Sequence, residues 1–217
     1  MLISTAQAST LATAIVLTEV AGGDVALAMV ITVVNNFATV VLTPLVFRFL
    51  GHTSIEVDYT AMGLEIALKI VLPVIVAQLV RPWLTGFTKR HSRKMSVTSQ
   101  LVILMYIYAG VSAGLERLTT QGTVLPKIIA LVVALHFTLL VMNAVISRLA
   151  MRTAGERTAY ILCASQKTLP AAILIWKSYF PGLPLGPIVA VAYHLVQLVV
   201  DSVLAPGFKR LPIIKDS

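Results

Sequence analysis

A lysine stands in the middle of an apolar segment of this chain, among small and polar side chains. The polar stretch reads Cys163-Ala164-Ser165-Gln166-Lys167-Thr168, and Pro170 follows it closely. A lysine at bilayer depth costs at least about 2.5 kcal/mol on insertion scales, so such a residue normally faces inward and is functional. Pro170 lacks an N–H and therefore breaks or kinks a helix. A charge beside a helix break predicts a binding site at the membrane midplane.

The composition is that of an all-α membrane protein with several spans. The chain has 217 residues, of which 58% are hydrophobic and 12% are charged, and its mean hydropathy is +0.90. These values lie far outside the range of soluble domains. The net charge of +8 comes from cations in short segments between apolar stretches, where they orient a protein in the bilayer, so nucleic-acid binding is not expected.

Cys163 is the only cysteine of the chain. It excludes an internal disulfide and gives no pair of metal ligands at CxxC spacing. We therefore expect no resident metal and no cofactor.

The elements that must position the lysine are long apolar segments. The segment from Ser4 to Val20 is too short and too rich in serine and threonine for an independent span, and we interpret it as half a membrane helix. Six full spans are predicted after it: Val25–Leu50, Tyr59–Leu84 with a kink at Pro73, Ser96–Leu115, Leu125–Leu149, Thr158–Phe180 and Ile188–Phe208. The segment Thr85–Lys94 is predicted to be a basic loop.

The distribution of cations predicts the orientation. If the spans alternate, the basic segments Thr85–Lys94 and Arg152–Arg157 and the tail from Lys209 all lie on one side of the membrane. The loops on the other side are acidic, mixed or uncharged. Cytoplasmic loops are the ones that carry lysine and arginine, so the C-terminus is predicted to be cytoplasmic, in a plasma membrane of the bacterial inner-membrane type.

Short motifs run through the whole chain in a fixed order. They are Ala12–Asp24, Leu42-Thr43-Pro44-Leu45, Val71-Leu72-Pro73 with Gln78 and Arg81, Cys163–Leu169, Tyr193-His194 with Gln197, and Val203-Leu204-Ala205-Pro206. As an ordered set they resemble the bile acid:sodium symporter superfamily, and within it the sodium/bile acid cotransporter 7-like branch. The resemblance implies a ten-helix fold of two inverted five-helix repeats, whose broken fourth and ninth helices cross near the membrane centre.

The resemblance also assigns parts of this fold to parts of the chain. Residues 1–58 would end the first repeat with half of helix four and helix five, and residues 59–217 would form the second repeat, helices six to ten. Thr158–Phe180 is similar to the broken helix nine. We therefore expect a truncated product or one piece of a split gene, with a missing N-terminal half or another subunit as partner; the alternative is a natural protein of seven segments that works alone.

The residue types that bind sodium in the superfamily are mostly replaced in this chain. The resemblance places Cys163 where sodium-coupled members have a glutamate, and Lys167 where they have a glutamine. Of two hydroxyl ligands, one falls at Ala28 and the other is kept at Thr32. Sodium needs several oxygen ligands, and a fixed ammonium would repel it. The resemblance thus implies transport without strict sodium coupling, in which Lys167 takes the place of the ion and exchanges a proton, because desolvation favours the neutral amine.

The candidate site comprises polar side chains in apolar segments. They are Ser9, Thr10, Thr13, Thr32, Asn35, Asn36, Cys163, Ser165, Gln166, Lys167, Thr168 and His194. Each alone could equally form a hydrogen bond between helices, and Lys167 could be a structural link to the carbonyls of a broken helix. We interpret His136 and His194 as hydrogen-bonded packing residues in preference to proton relays. Glu65 and Lys69, four residues apart, predict an ion pair.

Two classes of function fit these features. The first is a secondary transporter of the symporter type that moves a small organic anion through the bilayer, because a positive site suits an anion; a proton or a cation is the expected coupling ion. The second is a membrane component or regulatory partner that does not itself transport, or an inactive fragment. An enzyme is not expected, since the chain has no HExxH, no GxSxG and no carboxylate pair at catalytic spacing.

Overall fold

The structure, a computed structural model, describes residues 12–50, 57–120, 124–182 and 185–210. Their regular secondary structure is entirely helical. The helices are α1 (Ala12–Val20), α2 (Val25–Leu50), α3 (Tyr59–Ile66), α4 (Leu72–Thr120), α5 (Val124–Ala150), α6 (Ala154–Ser165), α7 (Leu169–Tyr179) and α8 (Gly186–Leu204); a π-helical turn, Ala67–Val71, precedes α4 and a 3-10 turn, Ala205–Arg210, follows α8. The predicted all-α membrane class is confirmed, whereas the inverted repeat and the division at residue 58 stay predictions.

Five helical segments of the described chain are long and apolar enough to cross a membrane. They are Val25–Phe49, Tyr59–Ser112, Val124–Ala150, Ala154–Tyr179 and Gly186–Phe208. The sequence predicted six full spans. The difference lies in the second of these segments, which joins two of the predicted spans into one helical stretch.

The predicted loop Thr85–Lys94 is wrong, because this segment is helical within α4. Lysine and arginine are good helix formers, and the hydroxyl of Thr85 donates to the carbonyl of Arg81 at 2.8 Å inside the helix. The backbone leaves the helical region only at His91 (φ −112°, ψ 15°), where α4 is kinked. At 1.5 Å per residue α4 is roughly 70 Å long, more than twice the hydrocarbon thickness of about 30 Å, so its apolar parts before and after His91 cannot share one straight crossing.

The predicted irregularity at Pro73 takes the form of a π-helical turn. Pro73 has no N–H for the carbonyl four residues earlier, and the helix absorbs this loss through the wider turn Ala67–Val71, in which the N–H of Leu72 donates to the carbonyl of Ala67. The predicted ion pair between Lys69 and Glu65 is formed.

The core of the bundle lies around the interrupted span made of α6 and α7. In the most apolar 18-residue window of Ala154–Tyr179, 67% of the residues are buried. The buried share is 11% in the corresponding windows of Val25–Phe49 and Tyr59–Ser112. Helices α1 and α2 both pack on α6, where Ala14 of α1 and Ala28 of α2 meet Ala159 and Cys163. Small side chains allow this close approach of helices. The segment interpreted as half a membrane helix is thus helical over residues 12–20 and packs against α6.

The start of α6 is fixed by a capping box. The hydroxyl of Thr153 accepts from the N–H of Glu156 at 3.2 Å, and the carboxylate of Glu156 accepts from the N–H of Thr153 at 3.2 Å. The N–H of Asp24, just before α2, donates to the carbonyl of Gly155 at 2.9 Å. These bonds set the position of α6 relative to α2 and hence the position of the break that follows.

Candidate functional site

The span that carries Lys167 is broken, as the sequence predicted. Helix α6 ends at Ser165 and α7 begins at Leu169. Between them the backbone is extended at Gln166 (φ −82°, ψ 146°) and at Thr168 (φ −90°, ψ 130°). Pro170 lies in the first turn of α7, where a missing N–H is tolerated. It has no N–H to offer to the carbonyl of Gln166, so one helix cannot run through this point.

Gln197 of α8 supplies the hydrogen bonds that the break removes. Its side-chain oxygen accepts from the N–H of Lys167 at 2.8 Å, and its side-chain nitrogen donates to the carbonyl of Lys167 at 2.7 Å. The same nitrogen lies 3.2 Å from Nδ1 of His194, one turn earlier on α8. Interrupted backbone at membrane depth requires such partners. Gln197 therefore holds the open backbone in place.

The side chain of Lys167 is half-buried and turns back onto α6. Its ammonium donates to the carbonyl of Ala164 at 3.0 Å, which satisfies one of the terminal carbonyls of α6 at the negative end of the helix dipole. A small cavity beside it is lined by Lys167, Thr168, Leu169, Ala172, Ala190, Tyr193 and His194. The candidates Lys167, Thr168 and His194 are thus brought together.

Asp201 lies fully buried next to the break. One oxygen of its carboxylate accepts from Nε2 of His136 at 2.8 Å, and the other accepts from the side-chain nitrogen of Gln166 at 2.7 Å. His136 and Gln166 are fully buried as well. A buried carboxylate is tolerated only when it is paired and hydrogen-bonded, and both conditions are met here.

Ser165, the last residue of α6, joins this network through two bonds. Its hydroxyl accepts from the side-chain nitrogen of Asn143 on α5 at 3.0 Å, and its carbonyl accepts from the hydroxyl of Tyr193 on α8 at 3.2 Å. The hydroxyl of Tyr193 also lies 3.3 Å from Nδ1 of His136. Hydrogen bonds therefore tie the end of α6 to both neighbouring helices.

Three of the four positions that the resemblance assigned to sodium ligands form a separate cluster. The thiol of Cys163 donates to the carbonyl of Ala28 at 3.7 Å, and the hydroxyl of Thr32 donates to the same carbonyl at 2.8 Å. A carbonyl oxygen has two lone pairs, so both are used. The structure brings Cys163, Ala28 and Thr32 together, while the ammonium of Lys167 is bonded elsewhere.

The remaining candidates that the structure describes lie on α1 and α2. Thr13, Asn35 and Asn36 are half-buried. Thr32 and Asn36 line a cavity of about 590 Å³ between α2 and α4, together with Gln78 and Arg81, and this is not the cavity beside Lys167. Ser9 and Thr10 lie outside the described residues.

Sequence reasoning missed Asp201 and gave Gln197, Tyr193 and Asn143 no role at the break. The signal for Asp201 was present, because an acid in an apolar span meets the same argument as Lys167. Tyr193, Gln197 and Asp201 also follow one another at intervals of four residues, which puts them on one face of α8. The interpretation of His136 as a buried, hydrogen-bonded residue agrees with its contacts.

Comparison with known proteins identifies the family. Residues 1–210 match the SBF-like CPA transporter family. The chain belongs to this family. Its membership agrees with the resemblance to the bile acid:sodium symporter superfamily that the motifs carried.

The SBF-like chain is also similar to curated vertebrate proteins. It is 29% identical over 204 residues to sodium/bile acid cotransporter 7 of Xenopus tropicalis, covering 90% of this chain and 59% of the relative. Identity is 29% over 204 residues to the Mus musculus protein of that name and 28% over 207 residues to that of Danio rerio, covering 90% of this chain and 60% of each relative. The SBF-like chain therefore spans about three fifths of their length.

Proposed function

We propose that this SBF-like chain provides the solute-binding half of a secondary transporter, with the break at residues 166–168 as the binding site. The observation that carries the proposal is the open backbone of Lys167, held by Gln197 inside the most buried span. Membrane proteins keep irregular backbone at such depth where it lines a site or a cavity. Membership in a transporter family supports the same function.

We propose a small organic anion as the solute. The ammonium of Lys167 borders the cavity at the break, which has a volume of about 10 Å³ and must widen before a solute enters, and α7 begins there with the positive end of its helix dipole. Both features favour negative charge. An entering carboxylate or sulfonate would compete with the carbonyl of Ala164 for the ammonium, so binding of the solute would release the end of α6.

We further propose that transport does not require sodium. At the positions where the resemblance expects sodium ligands, Cys163 offers a thiol, and the carbonyl of Ala28 already accepts two hydrogen bonds. A hard cation needs several free oxygen ligands, and this cluster offers few. The relatives are named sodium/bile acid cotransporters, so this chain would differ from what their names state. Proton exchange at Lys167 stays a prediction from the sequence.

In this proposal the protein has the membrane orientation that the distribution of its cations predicts. The basic segments face the cytoplasm, and the protein resides in the plasma membrane. The well-buried span of α6 and α7 would form the centre, and the exposed faces of α2 and α4 would face lipid or further helices.

Uptake into proteoliposomes tests the proposal. The full-length gene product is reconstituted, and uptake of radiolabelled taurocholate is measured with sodium and with sodium replaced by choline. We expect equal uptake in both salts. Lys167→Gln should lower uptake at least about tenfold, the effect of losing one hydrogen bond to a charged group, whereas Lys177→Gln, at an exposed lysine of α7, should not.

Three outcomes would count against the proposal. Strict sodium dependence would refute the sodium-independent mechanism. Unchanged uptake by Lys167→Gln would remove Lys167 from the site. Absence of uptake for taurocholate and for a panel of smaller organic anions would favour the alternative of a membrane component that does not transport.

A further inference from the structure

The strongest unassigned feature of the bundle is the pair formed by His136 and Asp201. Nε2 of His136 lies 2.8 Å from the carboxylate of Asp201, and both side chains are fully buried. An ionised carboxylate can only accept, so Nε2 carries a hydrogen when Asp201 is ionised. The second ring nitrogen, Nδ1, lies 3.3 Å from the hydroxyl of Tyr193. Whether Nδ1 also carries a hydrogen therefore depends on whether the hydroxyl of Tyr193 accepts from it or donates to it.

The donors and acceptors of this network fit a protonated His136. Tyr193 has one hydroxyl hydrogen and donates it to the carbonyl of Ser165 at 3.2 Å. Its oxygen is then left to accept from Nδ1 of His136. Both ring nitrogens donate in this arrangement, which is a property of the imidazolium alone. These proton positions follow from the hydrogen-bond network.

The pair is connected to both residues at the end of α6. Asp201 holds the side chain of Gln166 at 2.7 Å, and Tyr193 holds the carbonyl of Ser165. If Nδ1 loses its proton, it becomes an acceptor, and the single hydroxyl hydrogen of Tyr193 must serve either Nδ1 or the carbonyl of Ser165. When the hydroxyl turns to the deprotonated Nδ1, the broken end of the helix loses its hydrogen bond from Tyr193.

We propose that His136 and Asp201 form a proton-binding site that controls the helix break at residues 166–168. The proton leaves Nδ1 of the imidazolium, which becomes a neutral imidazole, and it passes to water. Given the proposed transport function, on which this part rests, proton binding here is coupled to movement of the solute through the break. A proton fits this site better than a metal cation, because an N–H already stands on each oxygen of Asp201.

A buried acceptor lies beside the carboxylate of Asp201. The side-chain oxygen of Gln166 is buried and has no hydrogen-bond partner within the described chain. A water molecule that enters from the break would find this oxygen as one of its partners. The acceptor lies on the Asp201 side of the pair, whereas Nδ1 of His136 faces Tyr193.

Apart from Tyr193, the other titratable groups near the break are hydrogen-bonded to partners other than His136 and Asp201. Lys167, from the break itself, gives its ammonium to Ala164, and His194 of α8 bonds to Gln197. Tyr193 of α8 faces His136 directly, and the neighbouring Asn143 of α5 is not titratable. A pH response of the pair should therefore persist when the charge of Lys167 is removed.

Nuclear magnetic resonance of the wild-type protein tests the protonation state. The chain has four histidines, and the signals of His136 in ¹⁵N-histidine-labelled protein in nanodiscs are assigned by their loss in His136→Gln. We expect two protonated ring nitrogens at low pH and loss of the Nδ1 proton as the pH rises. A neutral ring with its proton on Nε2 from about pH 5 to pH 10 would overturn the proposal, and this result needs no variant that folds.

Hydrogen exchange tests the link to the break. The exchange of peptides that cover residues 161–172 is divided by the intrinsic rate at each pH. We expect protection to fall about tenfold when the proton is lost, the effect of one hydrogen bond, both in the wild type and in Lys167→Gln. His136→Gln and Asp201→Asn should remove this pH dependence.

The outcomes separate this inference from the proposed function. Protection that does not depend on pH in the wild type, or an unchanged dependence in His136→Gln, would overturn the inference even if taurocholate uptake is normal. A break that responds to pH in a protein that transports no solute would support the proton site and refute the transport function. Neither measurement requires a known solute.

Discussion

The hydrogen bonds of Gln197 make the backbone of Lys167, and not only its ammonium, the centre of the site. One side-chain amide satisfies both the N–H and the carbonyl of Lys167, at 2.8 and 2.7 Å. Two residues on one face of α8 thus hold consecutive residues of the break, since Gln197 holds Lys167 and Asp201 holds Gln166. At the scale of single residues the site is built by α8 as much as by the broken span.

Gln197→Leu should destabilise the protein. The leucine would keep most of the volume but leave two backbone groups of Lys167 without partners, and each such group costs about 1–3 kcal/mol when buried. We expect a lower midpoint of thermal unfolding in detergent. Gln100→Leu is the matched control, because Gln100 is exposed and makes only a 3.4 Å bond to Ser96; equal midpoints for the two variants would contradict the role given to Gln197.

At the scale of elements, the break has two causes that act together. Pro170 removes the hydrogen bond that would carry a helix through Gln166, and the side chains of α8 satisfy the polar groups that are exposed as a result. A proline alone usually kinks a helix. The extended backbone at Gln166 and Thr168 requires partners outside the span as well.

Pro170→Ala should therefore leave the break intact. The new N–H at residue 170 would lie in the first turn of α7, where it has no intrahelical acceptor, and it should exchange rapidly with deuterium. The double variant Pro170→Ala with Gln197→Leu removes both causes, and we expect slow exchange at residue 170 as the helix closes. Slow exchange in the single variant would show that the proline alone maintains the break.

The packing of α7 against α8 depends on a glycine. A Cβ at Gly186 would lie 2.1 Å from the ring of Trp176, whereas a Cβ at Gly86 in α4 would meet nothing within 4 Å. Gly186→Ala should destabilise the protein by roughly 1–3 kcal/mol through overpacking. Gly86→Ala should stabilise it by up to about 1 kcal/mol, because alanine is the better helix former. The midpoints of thermal unfolding of the two variants test this prediction. Shifts of the same sign in the two midpoints would contradict the packing argument.

At the scale of the whole molecule, the uneven burial separates a centre from a periphery. The α6 half of the span packs against α1, α2 and α5, and the α7 half packs against α2, α3 and α8, while the apolar windows of Val25–Phe49 and Tyr59–Ser112 are mostly exposed. This arrangement suits a protein in which a buried polar break is surrounded by helices that face lipid. It also puts the polar network of Asp201 away from the bilayer.

The orientation is testable with fusions at the C-terminus. We expect green fluorescent protein fused there to fluoresce and alkaline phosphatase to remain inactive, because the basic segments should stay in the cytoplasm. Replacing Lys89, Arg90, Arg93 and Lys94 with glutamine should weaken this preference. An active phosphatase fusion would reverse the proposed orientation.

The sequence by itself determined the class of the protein and the location of the break in its lysine-bearing span. Its apolar composition required a helical membrane protein, and the charge and proline in one apolar stretch required a broken helix at Lys167, because bilayer physics leaves few alternatives. The order of the motifs was enough to indicate the family. Such features depend on local chemistry and can be found without knowing which helices meet.

Only the tertiary structure decided which side chains complete the site. Gln197 and Asp201 are 30 and 35 residues from their partners in the break, and His136 is 65 residues from Asp201. No local pattern specifies these pairings, because they depend on how α5, α6 and α8 pack. The same reason explains the error at Thr85–Lys94, where polar composition suggested a loop, although lysine, arginine and threonine can continue a helix once they are outside the apolar layer.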